Sequence, residues 1–433
     1  MRRLVALAGV AALSLTLSAC GGSGGDAKSS GGNNSDASQV DVVSWWSAGS
    51  EKEGLAALQK VLEKQHPETS FQNQAVSGGG GDQAKQKLQA DLAAKNPPDS
   101  YQAHAGAELS EDIKAGYLED LSGTYDKLKL REAFPKDLID RLSVDGKIYS
   151  IPSNIHRANV TWVSKAALDK AGIDPSKAPA DIDAWIADME KLQKAGVKYP
   201  MAVGNSTWQL HLLETIMIAD LGADGYQNLM DGKGDWRSAE VAKAFEHYAK
   251  IMNFADPSLL NEDWEPAMKG VINNDGTQAY TVMGDWTPPA FEAAGKKLNQ
   301  DYFAWPVPGT QGVFDFLADS FTKPVGAKHA GGTDAWLDTI SSKEGQIAFN
   351  SVKGSIPARS DLTEDEKDKF SEYQKTAMKS FSEDKIVSSV AHGAALPLKV
   401  TESMKKEALG KFTAGNFDAK QLQEQFAKSA ETK

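Results

Sequence analysis

The sequence has 433 residues, of which 59 are acidic and 47 basic, so its formal net charge at pH 7 is −12. This acidic surplus argues against nucleic acid or an anionic lipid surface as the partner, because both attract basic proteins. The length exceeds what one hydrophobic core usually supports, so we expect two lobes with a cleft between them.

The first segment, residues 1–19, has the layout of a signal peptide. Arg2 and Arg3 form a basic start, an apolar run covers 4–17, and small residues precede Cys20. The apolar run is shorter than the roughly 20 residues that a membrane-spanning helix needs, so we expect this segment to be cleaved. The mature chain would then carry 45 basic residues against 59 acidic ones, a formal charge of −14, which favours a neutral or cationic ligand.

The only cysteine of the chain, Cys20, stands at the predicted cleavage position. Leu17-Ser18-Ala19-Cys20 resembles the bacterial lipobox, in which the exposed cysteine carries a diacylglycerol. The alternative is an ordinary secreted protein with a stray cysteine. A lone cysteine forms no disulfide within one chain, and two or more acyl chains anchor a protein stably. We therefore predict a lipid-anchored protein on the extracytoplasmic face of the cell membrane.

Residues 20–38 are predicted to be the lipidated cysteine and a flexible linker. After Cys20 the segment reads GGSGGDAKSSGGNNSDAS, with no apolar side chain larger than that of alanine. It cannot bury enough surface to offset the entropy of ordering. Its average reach, at roughly 5–6 Å times the square root of the residue number, is about 20–25 Å.

The folded part opens with alternating strand and helix patterns. The β-branched and aromatic run over 40–46 predicts a strand, and the apolar stripe of Leu55, Leu58 and Leu62 predicts a helix after it. The alternation continues to about residue 105, which predicts an α/β lobe. The further predicted elements are strands at 69–76 and 100–105, a helix through Leu88 and Leu92, and a flexible loop at the glycine run 78–81.

Beyond residue 106 helical periodicity dominates, with strand-like runs at 148–151 and 279–283. Strand patterns return near 303, where the run 313–317 predicts a strand that we expect Asp319 to end. The sequence after 357 is charged and helical. These changes predict a chain that crosses between the lobes more than once.

Trp45 and Trp46 are adjacent on the first predicted strand, so their side chains should point to opposite faces. One of them can serve the core, and the other can stack on a sugar ring at the carboxyl end of the sheet. The alternative is that both are core residues.

Gln102 and His104 alternate along a predicted strand and share one face. An amide and a neutral imidazole each donate and accept hydrogen bonds, which suits the hydroxyl groups of a sugar. The alternative is a solvent-facing edge strand.

The sequence offers little for metal or nucleophilic chemistry. Its seven histidines are scattered singly, without the spacing of a zinc site, and no Gly-x-Ser-x-Gly motif is present. The glycine run before Asp82 lacks the lysine of a nucleotide-binding loop. We therefore expect no metal, no cofactor and no enzyme activity.

Several strings along the chain are distinctive when taken together with the lipobox. They are Trp45-Trp46, Pro97-Pro98-Asp99, Ser153-Asn154-Ile155-His156-Arg157, Met283-Gly284-Asp285-Trp286, Trp305-Pro306-Val307-Pro308-Gly309-Thr310 and Lys353-Gly354-Ser355-Ile356-Pro357-Ala358-Arg359. In this order they resemble one family, the glucose/mannose-binding branch of the solute-binding proteins of ABC importers. The resemblance runs from about residue 40 to the C-terminus.

The resemblance implies an α/β periplasmic-binding-protein-like fold of type II, with the ligand in the cleft between two lobes and a hinge of several crossovers. On this basis the N-lobe comprises 39–153 and 303–357, and the C-lobe comprises 154–302 and 358–433. The implied partners are a monosaccharide, glucose or mannose, and the permease subunits of an ABC importer. We expect a monomer that delivers the sugar by lobe closure.

The resemblance also implies a set of sugar contacts. The loop before Glu51 is one residue longer than in similar proteins. Asn154, His156 and Gln209 also lie in family-like strings, but Asn154 and His156 fit hinge and interlobe contacts better than sugar contacts. Lys353 has an alternative role as a structural ion pair. The implied contacts are Trp45, Trp46, Glu51, Gln102, His104, Trp264, Trp286, Asp319, Lys353 and His392.

Two other functions remain open at the level of sequence. The same scaffold can bind galactose, xylose or a disaccharide, because inverting one hydroxyl changes a hydrogen bond and not a motif. A secreted glycosidase also combines carboxylates and tryptophans in a cleft.

Overall fold

The computed structural model describes residues 36–75, 81–413 and 418–432, with the side chain of Thr413 left out. The predicted signal peptide, Cys20, most of the linker and the glycines at 78–80 lie outside these ranges. Within them, no helix combines the length and the apolar character needed to cross a membrane.

The strands of the described residues are β1 (Gln39–Val43), β2 (Ser70–Asn73), β3 (Ser100–His104), β4 (Ser143–Val144), β5 (Lys147–Ile148), β6 (Ser150–Pro152), β7 (His156–Arg157), β8 (Val160–Ser164), β9 (Met201–Ala202), β10 (Tyr280–Val282), β11 (Tyr302–Pro306), β12 (Val313–Leu317), β13 (Asp319–Thr322) and β14 (Lys385–Ser388).

The α-helices of the same residues are α1 (Gly49–Gln65), α2 (Asp82–Ala93), α3 (Ser110–Lys114), α4 (Ser122–Lys127), α5 (Leu130–Ala133), α6 (Lys136–Leu142), α7 (Lys165–Lys170), α8 (Ile182–Lys194), α9 (Ser206–Met230), α10 (Ala239–Met252), α11 (Trp264–Ala267), α12 (Lys269–Asn273), α13 (Pro288–Ala293), α14 (Ala330–Ser341), α15 (Lys343–Lys353), α16 (Glu364–Lys367), α17 (Glu372–Glu383), α18 (Leu398–Ser403), α19 (Gly410–Thr413) and α20 (Ala419–Ala430). A π-helical turn, Met404–Leu409, joins α18 to α19, and 3-10 turns lie at Ala107–Leu109 and Pro257–Leu259.

Two sheets organise two hydrophobic cores. The first sheet has the order β2-β1-β3-β13-β6, and β13 runs antiparallel to both of its neighbours. Its core includes Trp46, Leu58 and Trp336. The second sheet has the order β11-β8-β10-β9, and its core includes Leu213 and Phe245 from the long helices α9 and α10.

A third sheet, of order β14-β12-β7, lies between the two cores. Phe314 and Phe316 of β12 pack in the first core, whereas Val313 and Val387 pack in the second. The chain passes from this sheet into the first sheet at Ala318, which separates β12 from β13. Crossings of this kind are the predicted hinge.

Most of the predicted N-terminal alternation is confirmed. The helix through Leu55, Leu58 and Leu62 is α1, which buries these residues against the first sheet. The predicted strands at 69–76 and 100–105 are β2 and β3, and the helix through Leu88 and Leu92 is α2.

Three local predictions are wrong. Trp45 and Trp46 follow β1 instead of lying on it, because the ladder with β3 ends at Val43 and the Trp45 N–H donates to the side chain of Gln102. Asp319 opens β13, whereas it was expected to end a strand. The helical stretch expected after 357 contains the strand β14, which pairs with β12.

The sheet pairing and the core packing differ from two of the predicted lobe boundaries. The boundary predicted at 303 falls within β11, which pairs with β8 of the second sheet. In the same way Ala377 of α17, which lies in the predicted C-lobe segment 358–433, packs in the first core.

Candidate functional site

A narrow cavity of about 70 Å³ lies where the ends of the first and second sheets meet. Larger surface grooves exist elsewhere, including one of about 710 Å³ beside α17. The narrow cavity instead gathers aromatic, acidic and basic side chains that are mostly buried. It is lined by Trp45, Glu51, Gly81, His104, His156, Trp208, Asp263, Trp264, Trp286, Leu317, Asp319, Lys353 and His392.

Eight of the ten predicted contact residues therefore line one cavity. The structure places the other two, Trp46 and Gln102, behind its wall. Trp46 is fully buried, with its ring centroid 5.5 Å from that of Phe321 and 4.6 Å from that of Phe349. Trp46 is therefore the core member of the tryptophan pair.

Trp45 forms the aromatic wall on the side of the first sheet. The backbone of Gly81 lies flat against its ring: a Cβ added at Gly81 would sit 2.5 Å from the indole, and its φ is +92°. Both constraints require glycine. The last residue of the glycine run thus completes the cavity wall, a role that the prediction of a flexible loop did not include.

Trp286 forms the facing wall on the side of the second sheet. A Cβ added at Gly284 would lie 1.9 Å from the Trp286 ring and overlap it. The glycine of the Met-Gly-Asp-Trp string therefore lets the indole pack against the backbone of its own loop. The ring of Trp208 lies 6.1 Å from that of Trp286, and Trp208 donates to Asp263 over 2.8 Å. Neither Trp208 nor Asp263 was among the predicted contacts.

Three carboxylates and one ammonium group give the cavity its charge. Lys353 ends α15 just before the left-handed Gly354, and its Nζ lies 3.3 Å from Glu51 Oε1. Burial raises the pKa of Glu51, and Lys353 opposes that rise. The ion pair that was considered as an alternative role for Lys353 thus exists, and it borders the cavity.

Asp319 is held by two amide side chains. Gln102 Nε2 donates to Oδ1 over 2.9 Å, and Asn154 Nδ2 donates to Oδ2 over 2.8 Å. Burial raises the pKa of Asp319, but His156, His104 and Lys353 lower it more, so it stays below its ordinary value. A fixed carboxylate that accepts charge-assisted hydrogen bonds suits ligand hydroxyls.

Gln102 and His104 lie on the central strand β3, between β1 and β13. Both are buried, so the alternative of a solvent-facing edge strand is wrong. Gln102 Oε1 accepts the Trp45 N–H over 3.2 Å while its amide group binds Asp319. One amide thus links an aromatic wall to a carboxylate.

Hydrogen bonds also orient the other histidines of the cavity. His156 Nδ1 makes a short hydrogen bond to Asp285, and its Nε2 accepts from Asn154. Burial, followed by Lys353, lowers the pKa of His156. Its place beside the cavity fits the interlobe role expected for it, because Asp285 follows β10 of the second sheet.

His392 Nε2 lies 3.2 Å from His211 Nδ1, and His211 Nε2 donates to the Ala158 carbonyl over 2.8 Å. The backbone carbonyl can only accept, which places a proton on His211 Nε2. Burial lowers the pKa of His211 to about 4, so the ring is neutral and its Nδ1 accepts from His392.

The ligand atoms of His211, Glu214 and His392 lie within 4.8 Å of one another, as in some metal sites, a grouping that the sequence spacing did not reveal. The oxygens of Glu214 already accept hydrogen bonds, however, from the Ser389 hydroxyl and from the N–H groups of two neighbouring residues. The cluster is therefore a hydrogen-bonded network that supports His392.

An ion pair joins the two sides of the molecule next to Gly81, which lines the cavity. Asp82, in the first turn of α2, accepts from Lys405 Nζ over 3.0 Å and from the Thr207 hydroxyl over 3.2 Å. Both partners belong to the side of the second sheet. Burial raises the pKa of Asp82, but Lys405 and Lys85 lower it more, so the carboxylate is ionised.

Comparison with known proteins gives a consistent assignment. Residues 48–347 match the family model of the bacterial extracellular solute-binding proteins. An ABC transporter extracellular-binding protein of Pyrococcus horikoshii is 35% identical over 90% of this chain and 87% of its own length. A probable sugar-binding periplasmic protein of Mesorhizobium japonicum is 31% identical over 88% of this chain and 90% of its own.

Solved structures agree on the fold. A chitin oligosaccharide binding protein superposes with a TM-score of 0.76 at 19% identity, over 91% of this chain and 98% of its own. Maltose-bound MalE3 of T. maritima superposes with a TM-score of 0.71 at 15% identity, over 91% and 99%. The predicted two-lobed periplasmic-binding-protein fold of type II is confirmed.

Proposed function

Because this chain belongs to the family of bacterial extracellular solute-binding proteins, we propose that it is the extracellular sugar-binding component of an ABC importer. The observation that carries this proposal is the cavity between Trp45 and Trp286, which combines facing indoles with the fixed polar groups of Asp319 and Lys353. Indoles stack on the C–H faces of a sugar ring, and charged groups hydrogen-bond its hydroxyls.

We further propose that the ligand is a monosaccharide, glucose or mannose. This choice is supported by the resemblance of the strings around Trp45, Trp286 and Lys353 to the glucose/mannose-binding branch. The proposed contacts are the eight predicted residues that line the cavity. Gln102 and Trp46 support the cavity wall without touching the ligand. Asp263 and Trp208 are added to the predicted set.

Lobe closure is the proposed mechanism. A sugar that touches both lobes favours the closed form by its differential affinity for that form, and the importer recognises the closed shape. We retain the two-lobe division as part of the proposal, with the second N-lobe segment starting after β11, where the chain leaves the second sheet. The interlobe ion pair of Asp82 and Lys405 would form on closure.

Other sugars are the second candidate ligands. A relative from Haloferax volcanii, named a xylose/arabinose-binding protein, is 28% identical over 75% of this chain. Galactose, xylose and disaccharides therefore stay in the test. A secreted glycosidase is disfavoured because the related proteins above are named as binding proteins.

The test is calorimetric titration of residues 39–433 with glucose, mannose, galactose, xylose and maltose, after unfolding and refolding to remove carried-over sugar. We expect one-to-one binding of glucose or mannose. Tight binding of another of these sugars would refute glucose and mannose as the ligand but keep the sugar-binding function. If none of the five binds, the sugar proposal is refuted. Release of reducing sugar from an oligosaccharide would point to the glycosidase.

Attachment to the membrane through lipidated Cys20 is proposed from the lipobox alone. In cells fed a radiolabelled fatty acid, the wild-type protein should take up label and enter the membrane fraction. Cys20→Ser should do neither. Release of the wild-type protein into the medium without label would refute the anchor.

A further inference from the structure

Glu108 lies directly behind His104 and does not line the cavity. It sits in the 3-10 turn after β3, with only 6% of its surface exposed. Its Oε1 accepts the His104 N–H over 3.2 Å, and its Oε2 lies 2.9 Å from both His104 Nδ1 and Lys85 Nζ. A Cβ at Gly393 would come within 2.4 Å of Oε2, so the residue after His392 is shaped to admit this carboxylate.

The carboxylate of Glu108 is ionised. Burial raises its pKa, but Lys85 and His104 lower it further, so the pKa lies well below its ordinary value. An ionised carboxylate can only accept hydrogen bonds. Lys85 Nζ, which can only donate, also lies 3.4 Å from His104 Nδ1, but it donates to Glu108 Oε2 over the shorter distance of 2.9 Å. The 2.9 Å contact between Nδ1 and the carboxylate is a hydrogen bond only if Nδ1 holds the proton, so we assign the proton to Nδ1.

The other ring nitrogen, Nε2, belongs to a side chain that lines the cavity. Among the described residues, no hydrogen-bond partner occupies Nε2 of His104, and the ring lines the cavity beside Trp45, with ring centroids 5.2 Å apart. In a neutral imidazole that is protonated on Nδ1, Nε2 carries a lone pair. In that form of the ring, the cavity presents an acceptor at this point.

We propose that Glu108 is a positioning residue for sugar recognition: it holds His104 in the Nδ1-protonated form, so that Nε2 selects a ligand hydroxyl that donates. The inference rests on the proposed function, because it takes the ligand to be a sugar. It gives a role to the ion pair of Lys85 and Glu108, which is buried next to a histidine that lines the cavity: Lys85 keeps the carboxylate ionised, and the ionised carboxylate holds the proton on Nδ1.

The first test reads the proton directly in the wild-type protein. Long-range proton–nitrogen NMR spectra of histidine-labelled protein, with His104→Gln as the assignment control, distinguish a protonated ring nitrogen from a bare one. We expect Nδ1 of His104 to be protonated and Nε2 bare at neutral pH. A proton on Nε2 would overturn the proposal whether or not any variant folds.

The second test compares the hexose that the wild-type protein binds best with its four analogues in which one ring or primary hydroxyl is replaced by fluorine. Fluorine cannot donate, so at the position facing His104 the wild-type affinity should fall by at least about 10-fold. An amide both donates and accepts, so Glu108→Gln lets either tautomer form, and the fluorine penalty at that position should shrink to less than about threefold.

A merely structural Glu108 would weaken all five ligands by one common factor in Glu108→Gln, and that result would refute the proposal. Glu344→Gln is the matched control. It removes a surface ion pair in which Lys64 Nζ lies 2.7 Å from Glu344 Oε1, at the end of α15 opposite to Lys353. This variant should leave every affinity unchanged. If no hexose binds the wild-type protein, the proposed function fails. If hexoses bind without a position-specific change, only this inference fails.

Discussion

The adjacent tryptophans should respond in opposite ways to replacement by alanine. Trp46→Ala deletes a fully buried indole packed on Phe321 and Phe349, and such deletions cost about 3–5 kcal/mol of unfolding free energy. At about 2.1 cal/mol/K per residue over roughly 400 residues, a loss of ~4 kcal/mol lowers the melting temperature by about 5 °C. The folded protein should still bind sugar within about threefold of the wild-type affinity.

Trp45→Ala should instead lose the ligand. Burying the face of one indole under the sugar contributes about 2 kcal/mol to the binding free energy, so the affinity should fall by about 30-fold. The melting temperature should fall less than in Trp46→Ala, because one face of the Trp45 ring borders the cavity. Titration calorimetry and thermal unfolding of both variants give the two readouts. Equal losses of affinity in the pair, or full affinity in Trp45→Ala, would refute the assignment of one wall and one core residue.

Three further outcomes follow from the charges. Lys353→Met should weaken sugar binding by about 10- to 150-fold, the value of a charged hydrogen bond, whereas calorimetry of the surface control Lys64→Met should show no change. Burial raises the pKa of Glu214 from 4.5 to about 7 and that of Asp315 well above its ordinary value, so the stability they contribute is present at low pH and is lost as the pH rises towards 7. Asp315→Asn should therefore gain in melting temperature relative to the wild type between about pH 5 and about pH 7.5, and a constant difference would contradict this. Asp82→Asn should weaken sugar binding more in low salt than in high salt, measured by titration, since it removes the interlobe ion pair; a salt-independent effect would argue against a closing role.

The sequence was informative where one local rule decides the structure. Alternation of apolar residues predicted β1 to β3 with α1 and α2, because each element buries one face on the same core. It failed at Trp45 and Trp46, whose aromatic character suits a strand but whose backbone turns away to meet Gln102. It also missed β14, four residues in a charged region that become a strand only by pairing with β12.

The cavity was predictable chiefly through resemblance. The resemblance brought Trp286, Asp319, Lys353 and His392 into one proposed site although they lie far apart in the sequence. All four line the same cavity. Trp208 could have been found by the same means, since its neighbour Gln209 was noted in a family-like string.

Residues that act on the ligand only through a neighbouring side chain are harder to predict from the sequence. Gln102 was expected to touch the ligand because an amide on the same strand face as His104 suits hydroxyls, yet its two hydrogen bonds go to the Trp45 N–H and to Asp319. The same donor and acceptor capacity that would bind a sugar is used to fix the groups around it. Glu108 had no distinguishing pattern at all, since its partners lie four and 23 residues away and its effect depends on which nitrogen of His104 holds a proton. Composition and spacing identify side chains able to bind a hydroxyl, whereas hydrogen-bond partners in the folded chain decide which of them are left free to do so.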